Sequence, residues 1–196
     1  PVGSVGPVTV GPAGIDDVAA LAELAAETFP LACPPTVPDD DVAGYIATHL
    51  GAEHFAGYLA DADCTVLAAR SGDRILGYTM LIRGEPTDPV VAQSVPGRPT
   101  MELSKMYVRA DAHGSGVATA LMAAAIDAAR YDGLASVWLG VNQRNARAQA
   151  FYRKSGFTVC GTRTFALGGH VEQDFVLARP LGSRARRSVG YEQQVR

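Results

Sequence analysis

The stretch "KMYVRADAHGSGVATALMAAAIDAAR", residues 105–130, begins as a strand, passes Gly114 and Gly116, and ends as an alanine-rich helix. Two readings compete for the glycines. One is a plain turn. The other is a cradle for phosphate, because a helix N-terminus exposes unpaired N–H groups and a partial positive charge. Glycine lets an anion approach that backbone closely, since no Cβ intervenes. "HGSGVA" (113–118) offers several amides in a row, and Ala118 keeps the first turn small.

The chain around this turn has 196 residues, 47% of them hydrophobic, which suffices for a substantial core. Charged residues make up 19%, too few for a disordered chain. A net charge of −3 argues against a general nucleic-acid binder. The charge is uneven: the tail 182–196 carries +3 and leaves −6 on the rest. That acidic body suits a cationic substrate, or simply solubility. Cys33, Cys64 and Cys160 are odd in number and form no C-x-x-C pair, so a reducing cytoplasm fits better than a disulfide framework. His49 and His54 are five apart and fall on different helix faces, so no metal pair is expected. No basic segment leads into an apolar stretch at the N-terminus, so no secretory leader is expected. The longest apolar run, 117–126, is too short to cross a membrane.

Outward from the turn, the pattern gives the following elements. A short strand is expected at 8–10 and a helix at 16–29, led by Asp16 and Asp17. Pro30, Pro34, Pro35 and Pro38 should then forbid helix. Helices follow at 39–50 and 52–61. Strands at 64–70 and 74–83 are joined by the hairpin turn "SGD". The proline-bearing stretch 84–99 reads as a loop. A strand at 100–108, a helix at 115–131, a strand at 136–141 and a helix at 145–155 come next, then strands at 157–167 and 171–178. This order defines an α/β (α+β) layer with a mixed sheet. The organisation expected is a lead at 1–7, one folded unit at 8–181, and a basic tail at 182–196.

Three phosphate-binding signatures can be set against the glycine turn. The P-loop fails, because no Lys follows either glycine in the required place. The dinucleotide fingerprint would need a third glycine where Thr119 stands, and only about 75 residues follow. The third is the pyrophosphate loop [QR]-x-x-G-x-[GA], here His113-Gly114-Ser115-Gly116-Val117-Ala118 with His113 departing from Arg or Gln. A second block, "GVNQRNARAQAFYRKSGF" (140–157), fits N-x-x-A-x-x-[FL]-Y-x-[KR]-x-G-F at Asn145, Ala148, Phe151, Tyr152, Lys154, Gly156 and Phe157.

With both blocks in this order the chain resembles the GNAT (GCN5-related) N-acetyltransferase superfamily, over about residues 8–181. "ELSKMYV" and "FALGGHVEQDF" look most like bacterial polyamine acetyltransferases. The resemblance implies a GNAT fold, a mostly antiparallel sheet of six to seven strands flanked by helices, with acetyl-CoA as co-substrate and no metal. It implies that backbone N–H groups of Gly114, Ser115, Gly116, Val117, Ala118 and Thr119 hold pyrophosphate, with His113 beside them. Met106 and Val108 would bind the pantetheine arm and thioester through their backbone. Asn145, with Ala148 and Lys154, would complete the cofactor site; Asn145 binds the arm or caps its helix.

Tyr152 would protonate the leaving thiolate. Asn145, Ala148 and Tyr152 share a helix face. Glu102 alternates with Ser104, Met106 and Val108 and so should share their strand face, where it would serve as general base or bind substrate. The acceptor would be a small amine or a protein amino group. Neither nucleic acid nor membrane is expected as a partner, and a homodimer is an assembly the resemblance allows. Two rivals stay open: a CoA-binding regulator without catalysis, and a nucleotide-binding oxidoreductase. A covalent acyl-enzyme is disfavoured, since no G-x-S-x-G elbow exists.

Overall fold

The computed structural model describes residues 6–182. Most of the lead and of the basic tail therefore lies outside the described residues. Seven strands form one sheet in the order β1-β2-β3-β4-β5-β7-β6. They are β1 (Thr9–Pro12), β2 (Cys64–Ser71), β3 (Arg74–Arg83), β4 (Thr100–Val108), β5 (Ser136–Asn142), β6 (Thr158–Leu167) and β7 (His170–Pro180). Every neighbouring pair is antiparallel except β4 and β5. A doubly wound dinucleotide fold needs a mostly parallel sheet, so the oxidoreductase reading falls.

Helices cover both faces. α1 (Val18–Ala32), α2 (Asp39–His49) and α3 (Ala52–Ala60) pack on one. There Leu21, Leu24, Phe55, Tyr78 and Met80 form a core that removes the apolar stripes of these helices from water. On the other face α5 (Val117–Tyr131) sends Leu121, Met122, Ala125 and Ile126 inward, at helical spacing, against Leu81, Leu103 and Leu139. α6 (Ala146–Lys154) packs beside it through Ala148, Phe151 and Tyr152.

Two expectations about proline need correction. α1 runs through Pro30 to Ala32. Only the last turn follows this proline, and buried Phe29 anchors that end to the core. Nor is 84–99 wholly loop: α4 (Pro89–Ser94) forms inside it. Asp88 caps it, its Oδ1 accepting from the Val90 N–H at 2.8 Å, and Pro89 takes the first helical position, where its missing N–H costs nothing. α4 covers Trp138, Val176 and Ala178 through Val91 and Val95.

The feature that makes the site is a gap in the sheet. β4 and β5 pair only where Thr100–Glu102 face Ser136–Trp138. Beyond those three pairs the strands part, β4 running on to Val108 and β5 to Asn142.

Candidate active site

β4 does not keep simple alternation. Lys105 pairs with Met80 and Leu103 with Leu81, so Ser104 is an extra residue, a β-bulge. The bulge inverts the parity of the strand. Met101, Leu103 and Met106 face α5, while Glu102, Lys105 and Tyr107 face α1–α3. The expected shared face of Glu102, Met106 and Val108 is therefore corrected: the bulge turns Glu102 to the opposite side.

The parting strands open two cavities that meet at Met106, Tyr107, Asn145, Ala148 and Tyr152. One, of about 220 Å³, lies towards the glycine turn and takes in Val108, His113, Ala118, Arg147 and Phe151. The other, of about 200 Å³, lies towards β6 and β7 and takes in Tyr45, Lys105, Arg163, Phe165, Glu172 and Asp174.

At the first mouth, Gly114 and Gly116 adopt φ of +79° and +89°, left-handed values that favour glycine. A Cβ at either would meet nothing within 4 Å, so the surface in front of them is open. The N–H groups of Gly114, Gly116, Val117, Ala118 and Thr119 have no protein acceptor among the described residues. Ser115 is different: its N–H donates to the Ala112 carbonyl at 3.3 Å and its hydroxyl to the same oxygen at 2.6 Å. It holds the turn rather than offering a donor. Val117 is buried in the core, and its contribution to a ligand is its amide alone. His113 Nε2–H donates to the Val108 carbonyl at 2.9 Å, tying the turn to the end of β4. This cradle fits a phosphate group. Lys154 ends α6 exposed and lines neither cavity.

Asn145 caps α6, its Oδ1 accepting from the Ala148 N–H at 3.0 Å. Gln149 supports the turn before it by donating to the Asn142 and Gln143 carbonyls at 3.1 and 2.9 Å. The helix so placed carries Tyr152 to the junction of the cavities. Its hydroxyl has no hydrogen-bond partner among the described residues, and burial pushes its pKa up to about 12, so it stays protonated at neutral pH.

The second cavity holds a charged cluster that local sequence patterns did not reveal. Arg163 of β6 lies between Glu102 of β4 and Asp174 of β7, 3.4 Å from each carboxylate, with its guanidinium 5.5 Å from the Trp138 ring centroid. Glycine at position 140 of β5 makes this approach available, since a Cβ there would stand 2.3 Å from Arg163 Nη2. Asp174 is buried. Desolvation raises its pKa, and Arg163 acts against that rise. Glu172, also buried, accepts from Asn142 Nδ2 at 3.1 Å. Glu102 touches Arg163 but does not line the cavity. Its signal would have been the pairing of β5 with β7 and β7 with β6, which no local motif encodes.

The sheet is thus split between two strands, with an open amide cradle at one mouth and carboxylates at the other. The chain belongs to the acetyltransferase (GNAT) family, whose description matches residues 18–157. It is similar to an uncharacterized N-acetyltransferase of Mycobacterium tuberculosis, 47% identical over 165 residues, covering 84% of this chain and 98% of the relative. Its fold is similar to that of the PaiA N-acetyltransferase from Thermoplasma acidophilum in complex with coenzyme A. That likeness has a TM-score of 0.71 and 17% identity, and covers 89% of this chain and 99% of the other. It is also similar to the ribosomal-protein-alanine N-acetyltransferase from Brucella melitensis, with a TM-score of 0.60 and 23% identity, covering 88% and 99%. The protein is a GNAT-type, acetyl-CoA-dependent N-acetyltransferase. Among the described residues no helix is long and apolar enough to cross a membrane, and no group of three His, Cys, Asp or Glu side chains could hold a metal.

Proposed function

We propose that the protein acetylates a primary amine by direct transfer in a ternary complex, with the two cavities holding the two substrates. The observation that carries this is the meeting of the cavities at Tyr152, in the gap between β4 and β5. Acetyl-CoA supplies an acetyl group already activated as a thioester. Amides of Gly114, Gly116, Val117, Ala118 and Thr119 hold its phosphates at the start of α5, and Arg147 adds a cation at the same cavity. The backbone of Met106 and the N–H of Val108, whose carbonyl is taken by His113, receive the arm and the reacting carbonyl, with donors fixed before the reaction begins. His113 keeps the end of β4 and the cradle in register.

The amine enters from the side of β6 and β7. An alkylammonium has a pKa of ~10.4 and must lose a proton to attack. Asp174 accepts it, since its carboxylate lines this cavity and burial makes it a stronger base than an exposed carboxylate. Glu102, read from the sequence as general base or substrate-binding group, instead shares Arg163 and helps to hold it. The Tyr152 Oη–H donates to the departing sulfur. A phenol pKa near 12 makes this uphill against an ordinary thiol, but the dry site that raises the phenol destabilises a thiolate as well.

For the acceptor, the carboxylates of Glu172 and Asp174 support a small amine, while Lys105 and Arg163 beside them weigh against the polycation read from the sequence. The likeness to a ribosomal-protein-alanine acetyltransferase favours a protein amino terminus as second reading. A homodimer belongs to this reading too, checked by sedimentation. A regulator that binds the carrier without turnover is not favoured, because the relatives are described as N-acetyltransferases. The test is Tyr152→Phe, assayed by thiol release and by acetyl-CoA calorimetry. The expected result is a kcat lower by about 10²–10⁴-fold with the cofactor Kd within about twofold of wild type. Unchanged kcat would remove Tyr152 as the acid.

A further inference from the structure

The cavity beside β6 and β7 contains four charged side chains, and three of them are satisfied by the protein. Arg163 is shared by Glu102 and Asp174, and Glu172 accepts from Asn142. Lys105 is the exception. Among the described residues no carboxylate lies within 4.0 Å of its Nζ. Its polar contact is the Ser104 hydroxyl at 3.4 Å, and the Tyr58 ring lies 5.6 Å away. Burial lowers its pKa, with Glu102 pulling the other way from a distance. A cation taken out of water without a partner is unfavourable, and natural sites usually supply one. The bulge at Ser104 is what turns Lys105 to this side. The partner is therefore to be sought in what fills the cavity.

The rest of the lining agrees. Tyr45 stacks on Phe29 with centroids 4.6 Å apart, and Tyr45 meets Phe165 edge-on at 5.7 Å. These rings give the cavity a packed, largely apolar wall beside its charged groups. A volume of about 200 Å³ lies below the ~300–1,000 Å³ usual for drug-sized ligands, so only a small molecule or the end of one enters. A polycation would place a second ammonium in the same small cavity as Lys105 and Arg163, where like charges repel.

We propose that the acceptor is a small amine that also carries an anionic group, a carboxylate or a phosphate. The anion sits on Lys105 and the amino group on the Asp174 side. This rests on the acetyl-transfer reading above and narrows it to amino acids and amino phosphates.

The test uses matched pairs on the full chain: free α-amino acids against their amides, and O-phosphoethanolamine against ethanolamine, with spermidine as polycation. Each is assayed for CoA thiol release and titrated calorimetrically into CoA-loaded protein. An anionic member favoured over its neutral partner by about 10- to 100-fold in kcat/KM supports the proposal, and the two kinds of pair separate carboxylate from phosphate. Lys105→Gln should erase that preference through KM, leaving acetyl-CoA affinity unchanged. The proposal is overturned if neutral amines or spermidine are used as well or better, or if no anionic amine binds or reacts. Loss of acetyl-CoA binding itself, read in the same calorimeter, would remove the cofactor reading and this inference with it.

Discussion

Replacing Gly140 by Ala tests whether the charged cluster stands on that glycine. The new Cβ would lie 2.3 Å from Nη2 of Arg163 and 2.5 Å from Cζ and Nε. Those atoms end a flexible side chain, so the backbone holds and Arg163 withdraws. Withdrawal breaks two ion pairs whose side chains keep 8–22% exposure, each contributing about 0.5–1 kcal/mol. It removes the contact with Trp138, about 0.5–1 kcal/mol, and strands Asp174, about 1 kcal/mol more. Against this, Ala improves on Gly inside a strand by about 0.5–1 kcal/mol. The net loss is about 2 kcal/mol, a fall in Tm of roughly 4–8 °C for a chain of this size. Denaturant unfolding of Gly140→Ala, Arg163→Ala and the double variant measures it as a cycle. In the Arg163→Ala background the alanine should be neutral or stabilising by about 0.5 kcal/mol. An equal cost in both backgrounds would refute the displacement of Arg163.

Two further outcomes follow from the same geometry. Gly116→Ala finds open space but a φ of +89°, so it should cost about 1–2 kcal/mol by thermal unfolding and weaken acetyl-CoA in calorimetry, because the α5 amides shift. With Asp174 as base, kcat/KM should fall as pH drops through a pKa above the ordinary carboxylate value. Arg163→Ala removes the charge that lowers this pKa, so the acid limb of the pH–rate profile should move to higher pH.

β3 and β4 fall on the residues that alternation and turn chemistry indicated, and Asn145 caps its helix as its position suggested. These are local matters, decided within a few residues. The bulge at Ser104 was not legible, because a period of two assumes that no residue is extra. α4 was legible in principle: Asp88-Pro89 is a cap followed by a first-turn proline, outweighed in the reading by the neighbouring prolines. The cavity at the glycine turn could be read from the chain because one turn and one helix supply most of it. The cavity beside β6 and β7 could not. Asp174, Arg163 and Glu102 come from three strands, and only the pairing of distant segments brings them together.

The parting of β4 from β5 also changes how many borders the sheet has. Among the described residues, β1 and β6 are its outer margins, and the gap adds two more inside. Exposed strand margins invite other chains to add to them. Here the inner pair is roofed by α1 and α6, which line the cleft, so a flat foreign strand cannot lie alongside. What can reach it is a thin, extended molecule threaded end-on. On the proposed reading, the gap shields its strand backbone from a flat polypeptide while admitting a narrow carrier arm.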